Sequence, residues 1–284
     1  MTMRALYSNA YSSVKPCESW GVTDIFLVFY VTDDLTGRVS TTQINTIISD
    51  IRKQSPNVNI HWWMPWSRDV NGVRNSPENR EHVDMALTET RKIIDTCDFD
   101  GVTLDDPIVY NQYWSPYTND AERLESLKHS LTGVISEFVE TIHDTKDIPV
   151  SGNTPRYDAP NSQTNGLMDV KEVNKCFDYV TVGLSRYYNE PMRNVKQLFK
   201  DYFESGNHLR KELVIETLSF IHPNDSTLKS NNELRKELKT ILGYNVEGYA
   251  VCTYPNLVSR FVFPSHYRCA VSDRREVIDR KKRS

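Results

Sequence analysis

Acidic residues in two segments are prominent because each lies in or directly after an apolar stretch. Asp105 and Asp106 follow the run Gly101-Val102-Thr103-Leu104, and Glu216 lies in the middle of the apolar residues 213–218. A carboxylate is costly to bury in such surroundings unless it has a partner or a task. Two carboxylates that flank one bond supply an acid and a base, or an acid and a nucleophile. The sequence therefore predicts Asp105 or Asp106, together with Glu216, as catalytic residues.

Aromatic and polar residues gather near the ends of other apolar runs. Rings stack on the C–H faces of sugars, while amides and charged groups bind the hydroxyls, so this mixture favours a carbohydrate ligand. The predicted substrate-binding residues are His61, Trp63, Trp66, Arg68, Asn153, Arg156, Arg186, Tyr188 and Tyr254. His61 has no second histidine in a ligand spacing, so we predict neither a metal site nor a cofactor.

The segment from Phe99 to Asp106, with the sequence FDGVTLDD, resembles the fourth-strand motif (Y/F)DGxxxD of barrel glycoside hydrolases, as in chitinase-like and related glycosidase families. The resemblance implies a barrel fold, hydrolysis of a glycosidic bond and a catalytic role for Asp105. The chitinase pattern DGxDxDxE has an acid where Thr103 stands and a glutamate where Pro107 stands. The substrate-assisted mechanism of that pattern is therefore not supported by this sequence.

Eight short runs rich in β-branched and aromatic residues alternate with stretches of helical period, which predicts a single (β/α)8 barrel. We expect the barrel to cover residues 1–260 and a C-terminal extension with a basic tail to cover residues 261–284. The predicted strands are 4–8, 24–31, 58–64, 101–105, 148–153, 179–184, 213–218 and 248–253. Active sites of such barrels lie at the carboxyl ends of the strands, where most of the polar residues named above are expected.

Amphipathic stretches between the strands predict the helices. They cover residues 41–53, 77–96, 120–144, 170–175, 191–205 and 231–242. Ser40 or Thr41 is expected to cap the first of these, and Ser76 followed by Pro77 the second. Because side chains alternate along a strand, Thr103 and Asp105 are expected on one face and Val102 and Leu104 on the other.

Charge and composition limit the classes of partner. The net charge is −4, and residues 273–284 hold six basic and three acidic residues, which leaves 28 basic and 35 acidic residues elsewhere. This acidic body disfavours nucleic acid as a partner. No stretch reaches the ~20 apolar residues that a membrane-spanning helix needs, and the first residues contain no apolar leader, so we expect a cytoplasmic protein, with release by lysis or a viral origin left open.

The sequence leaves two other functions open. One is a barrel that binds glycans without cleaving them, in which the acids only accept hydrogen bonds from the sugar. The other is a metal-dependent hydrolase or lyase in which Asp105, Asp106 and Glu216 hold a divalent ion. The oligomeric state and the identity of the sugar are also left open.

Overall fold

A computed structural model describes residues 3–8, 18, 22–29, 40–64, 77–104, 121–155, 170–183, 213–218, 232, 236, 238–240, 243, 244, 246 and 248–252. Within these residues the strands are β1 (Met3–Ser8), β2 (Asp24–Val28), β3 (Asn59–Met64), β4 (Gly101–Leu104), β5 (Val150–Pro155), β6 (Tyr179–Gly183), β7 (Leu213–Leu218) and β8 (Gly248–Cys252). The helices are α1 (Thr41–Gln54), α2 (Arg80–Thr96), α3 (Ala121–Thr145) and α4 (Val170–Lys175). The protein is thus a mixed α/β protein.

The chain divides into two compact units, each containing parallel strands. One unit comprises Met1–Leu27, Ile47–Ile60 and Val182–Ser284, and in it β7, β8, β1 and β2 are hydrogen-bonded in that order. The other comprises Val28–Thr46 and His61–Thr181, and in it β3 pairs with β4 and β4 with β5. All of these pairs are parallel, as the predicted alternation of strands and helices requires.

The predicted cap of α1 is confirmed, and it consists of two hydrogen bonds that Ser40 and Gln43 make to each other. The hydroxyl of Ser40 accepts a hydrogen bond from the Gln43 backbone N–H at 3.3 Å, and the Gln43 side chain accepts one from the Ser40 backbone N–H at 2.8 Å. This capping box satisfies two amide groups at the helix start. Helix α1 then covers the predicted residues and extends one residue further.

The predicted start of α2 is wrong. The helix begins at Arg80, Pro77 and Glu78 lie in a turn, and Asn79 is the cap because its side chain accepts a hydrogen bond from the His82 backbone N–H at 3.3 Å. The Asn79 side-chain oxygen is the acceptor that was expected from the Ser76 hydroxyl, three residues earlier in the sequence. Ser76 lies outside the described residues.

Aromatic side chains pack against one face of β3. The Trp62 indole N–H donates a hydrogen bond of 2.9 Å to the backbone carbonyl of Phe29, and the Trp62 ring stacks on Phe99 with centroids 5.9 Å apart. Phe99 also contacts the Phe29 ring at 5.9 Å. All three side chains are buried. Together they hold β3 with Trp62 turned away from the face that carries His61 and Trp63.

Helices α2 and α3 are joined at the surface by a two-pronged ion pair. The Arg80 guanidinium donates to both carboxylate oxygens of Glu137, at 2.8 and 2.7 Å, and also to Asp84 at 2.7 Å. These hydrogen bonds raise the pKa of Arg80 above its usual range, chiefly through Glu137. Because these side chains are exposed, the ion pairs contribute little to the free energy of unfolding. Their main effect is on the orientation of the two helices.

No described helix combines the length and the apolar character needed to cross a membrane.

The buried thiol of Cys97 gives a test of the packing at the end of α2. Burial raises the pKa of Cys97 to about 11, with the charge of Lys146 opposing the shift. The folded state therefore holds the thiol proton more tightly than the unfolded state, so this contribution is complete at neutral pH and is lost as the pH rises from 9 to 11. We expect the free energy of unfolding to fall over this range relative to Cys97→Ala by up to roughly 1.4 kcal/mol per pH unit. Urea denaturation at several pH values measures the difference. If the free energies of unfolding of the wild type and of Cys97→Ala changed equally with pH, the assignment of Cys97 as a buried, neutral thiol would be contradicted.

Candidate functional site

The registers of β3, β4 and β5 place matching side chains in rows across the second unit. Trp63 lies opposite Thr103, and Thr103 lies opposite Ser151. One row toward the start of the strands, His61 lies opposite Gly101. Because Trp62 is held on the other face, alternation assigns these five residues to one side of the sheet. We call this side the polar face.

A hydrogen bond between two hydroxyl groups crosses the polar face. The oxygens of Thr103 and Ser151 lie 2.7 Å apart, and both side chains are fully buried. This contact confirms that Thr103 points away from the face of Val102 and Leu104. It also shows that a neutral hydroxyl pair occupies the position where the chitinase pattern has an acid.

The His61 ring lies against Gly101, directly below that pair. A Cβ built on Gly101 would overlap the Nδ1 atom of His61, so only a glycine leaves room for the imidazole at this point. His61 is 2% exposed and Trp63 is 8% exposed. The glycine of the fourth-strand motif therefore serves a packing function that sequence reasoning missed.

The register of the first unit places Glu216 in a second row. Glu216 lies opposite Ala250 of β8, Ala250 lies opposite Ala5 of β1, and Ala5 lies opposite Asp24 of β2. Asp24 is buried, and its carboxylate accepts hydrogen bonds from the hydroxyl of Thr23 at 2.5 Å and the side-chain amide of Asn59 at 2.9 Å. These bonds give Asp24 a structural role at the start of β2.

The structure places four of the predicted site residues on strands. His61 and Trp63 lie on the polar face, Asn153 is the fourth residue of β5, and Glu216 is the fourth residue of β7. The other predicted site residues lie outside the described residues: Asp105, Asp106, Trp66, Arg68, Arg156, Arg186, Tyr188 and Tyr254. The assignments of all of these residues stay predictions.

The residues of the polar face define what chemistry it supports. Thr103 and Ser151 donate and accept hydrogen bonds but do not ionise near neutral pH. Trp63 offers an indole ring, and His61 offers an imidazole. In the part of the chain that the structure describes, no group of three histidine, cysteine or acidic side chains is placed to hold a metal ion. The five residues of the polar face include no carboxylate.

No family model matches the sequence, and no curated protein matches it at a significant level. Solved structures, by contrast, match over almost the whole chain. A glycoside hydrolase family 18 chitinase from Flavobacterium johnsoniae superposes with a TM-score of 0.66 at 10% identity, covering 97% of this chain and 94% of that one. A group IV chitinase from Ostrinia furnacalis gives a TM-score of 0.67 at 10% identity, covering 96% and 99%.

A third structure with this fold carries a different description. It is the chitinase-like agglutinin of Robinia pseudoacacia, with a TM-score of 0.63 at 10% identity, covering 96% of this chain and 99% of that chain. At these identities the likeness establishes a shared fold. The residues that perform a reaction must be argued from this chain.

Replacing the glycine beneath His61 tests the packing of the polar face. We expect Gly101→Ala to lower the free energy of unfolding by about 1–3 kcal/mol, because the new methyl group overlaps the His61 ring. The double variant Gly101→Ala/His61→Ala should be destabilised by less than the sum of the two single changes. Chemical denaturation measures both quantities.

Gly133 in α3 provides the matched control, since a Cβ there meets nothing within 4 Å. Gly133→Ala should be neutral or stabilising by up to about 1 kcal/mol. Additive effects of the Gly101 and His61 substitutions would show that the two side chains do not share this space.

Proposed function

We propose that this chain is a carbohydrate-active (β/α)8 barrel that hydrolyses a glycosidic bond in a polysaccharide or cell-wall glycan. The observation that carries the proposal is the whole-chain likeness to chitinases. In this proposal the eight strands close into one barrel over residues 1–260, with one working face at their carboxyl ends. Such a face brings residues from different strands into one cleft.

We assign catalysis to Asp105 or Asp106 at the end of β4 and to Glu216 on β7. The support is their position in the sequence. Asp105 and Asp106 follow β4, and Glu216 lies within β7. One carboxyl group protonates the leaving oxygen, and the other acts as base or nucleophile. Trp63 at the polar face and the remaining predicted aromatic, amide and arginine residues would bind the sugar.

The mechanism we propose differs from the one that the chitinase pattern implies. Thr103 is a neutral residue bonded to Ser151, and Pro107 stands in place of the glutamate. The acid would therefore come from another strand, and Glu216 is the candidate. A substrate N-acetyl group is not required by this arrangement, so the proposal extends to glycans without amino sugars.

A non-catalytic glycan-binding barrel is the second candidate function. The neutral Thr103–Ser151 pair favours this candidate. Thr103 stands where the chitinase pattern has an acid, so the chain has hydroxyl groups suited to binding sugars but lacks one of the charged residues of that pattern. The shared fold with a chitinase-like agglutinin also supports this candidate. A glycan-binding barrel would keep its affinity for oligosaccharides when the acids are replaced by amides.

Release of reducing ends from a panel of cell-wall and storage polysaccharides separates these functions. We expect Asp105→Asn and Glu216→Gln each to reduce turnover at least about 100-fold, because each removes an acid, base or nucleophile. Asp98→Asn is the matched control: Asp98 is an exposed aspartate that precedes the same strand and pairs with Lys146 at 3.7 Å.

Turnover that survives either substitution within a few-fold would contradict the two-carboxylate assignment. A wild-type chain that binds oligosaccharides but releases no reducing ends would establish the binding function instead. Loss of activity on adding a chelator would indicate the metal-dependent alternative.

A further inference from the structure

The start of β5 is held by the segment that joins α4 to β6. The Asp178 backbone N–H donates to the Val150 carbonyl at 2.9 Å, and the Asp178 carboxylate accepts a hydrogen bond from the Val150 N–H at 2.7 Å. Phe177 packs directly over Gly152, where an added Cβ would overlap its ring. Val150 and Gly152 are the neighbours of Ser151 on β5, so these contacts hold the strand segment that contributes Ser151 to the polar face.

The bond from the Val150 N–H differs from an ordinary bond of a parallel sheet. A strand N–H normally donates to a backbone carbonyl of the neighbouring strand. At Val150 the acceptor is instead a side-chain oxygen of Asp178, and a charged acceptor makes a stronger hydrogen bond than a neutral one. The first amide of β5 therefore depends on how firmly one carboxylate is held in place.

A histidine of helix α3 reaches the same carboxylate oxygen. The His143 Nε2 atom lies 3.1 Å from the Asp178 Oδ2 atom, which also accepts the bond from Val150. The imidazole is the donor in this contact, because a carboxylate only accepts. Within the described residues Asp178 is the one ion-pair partner of His143. Histidine is the side chain that ordinarily changes its charge between about pH 5 and 8.

Other charged groups that the structure describes around His143 have contacts of their own. The contacts are Glu140 with Ser136, Lys146 with Asp98, and Lys175 with Glu172 on the adjoining helix α4. Asp144 and Asp147 are exposed, and the helical period turns Asp144 about 100° away from His143. All of these groups are kept in every variant below, so the comparison isolates the His143–Asp178 pair.

We propose that His143 and Asp178 form a pH-sensitive clamp on the start of β5. Protonation of His143 places a positive charge beside the Asp178 carboxylate, which strengthens their hydrogen bond and restrains the oxygen that holds the Val150 N–H. Loss of this proton leaves a neutral donor, and the start of β5 opens more readily. The contribution of the clamp is therefore complete when histidine is charged and is lost as the pH rises through the histidine range. The inference goes beyond the proposed function, since the clamp acts on the strand whether the chain hydrolyses a glycan or only binds one.

Amide hydrogen exchange measures the clamp at the bond concerned. Exchange in the full chain is followed by NMR at about pH 5.5 and about pH 7.5, on either side of the ordinary histidine pKa of about 6.5, and is corrected for the intrinsic rate at each pH. The protection of the Val150 N–H is expressed relative to that of the Val102 N–H, which donates to the backbone carbonyl of Pro149 at 3.0 Å. We expect this relative protection to be roughly two- to fivefold greater at the lower pH, as for a partly exposed ion pair.

Three variants complete the design. His143→Gln keeps a donor but takes no charge, so the difference between the two pH values should disappear. Asp178→Asn keeps an oxygen that accepts from the Val150 N–H but removes the negative charge, so Val150 should stay protected, equally at both pH values. His129→Gln is the matched control, because it replaces another exposed histidine of α3 that lies about 21 Å away along the helix. It should behave as the wild type.

Equal relative protection of Val150 at both pH values in the wild type would overturn the proposal. A difference that survives His143→Gln would also overturn it, as would a difference that His129→Gln abolishes. Because the measurement needs no turnover, failure of the clamp and failure of the proposed function are separate results.

Discussion

The hydrogen-bond register of β3, β4 and β5 determines which side chains of the second unit share a face. A slip of one residue would exchange Trp62 for Trp63 and Val102 for Thr103, because successive side chains point to opposite sides. The register is held from both sides of the sheet. On one side Trp62 bonds to Phe29 and stacks on Phe99, and on the other His61 fits only over Gly101. The arrangement of the polar face therefore depends on ring packing around Trp62 and on the fit of His61 over Gly101.

The hydroxyl pair of the polar face is both buried and uncharged. The pair lies at the position where the chitinase pattern has a charged residue, and it provides hydrogen bonds without placing a charge in the protein interior. The hydrolysis proposed above therefore draws its carboxylates from residues outside the polar face. In that proposal Glu216 on β7 is the acid, and Asp105 follows β4.

The sequence predicted the strands well because their signal is local. The predicted β7, residues 213–218, coincides with the observed strand, and the first residue of α1 is also correct. The predicted start of α2 was wrong because the helix is capped by Asn79, whose side chain accepts a hydrogen bond from the His82 backbone N–H, three residues after the predicted Ser76. Strand β5 begins at Val150, two residues later than predicted.

The site could be predicted in part. Alternation along β4 correctly separated Thr103 from Val102 and Leu104, because it needs only the strand assignment. The partnership of Thr103 with Ser151 and the fit of His61 over Gly101 depend on the register between strands, which a single sequence does not specify. Ser151 has no chemical signal of its own, since a serine in a short polar stretch is common in loops and strands alike.

A crystal structure with a bound oligosaccharide tests the central claim most directly, through the distance between the carboxyl groups of Asp105 and Glu216. A two-carboxylate hydrolase predicts both groups on opposite sides of one glycosidic bond, separated by about 5–5.5 Å for retention or about 6.5–9.5 Å for inversion. A sugar bound against the polar face with Glu216 far from its glycosidic oxygen would contradict the account.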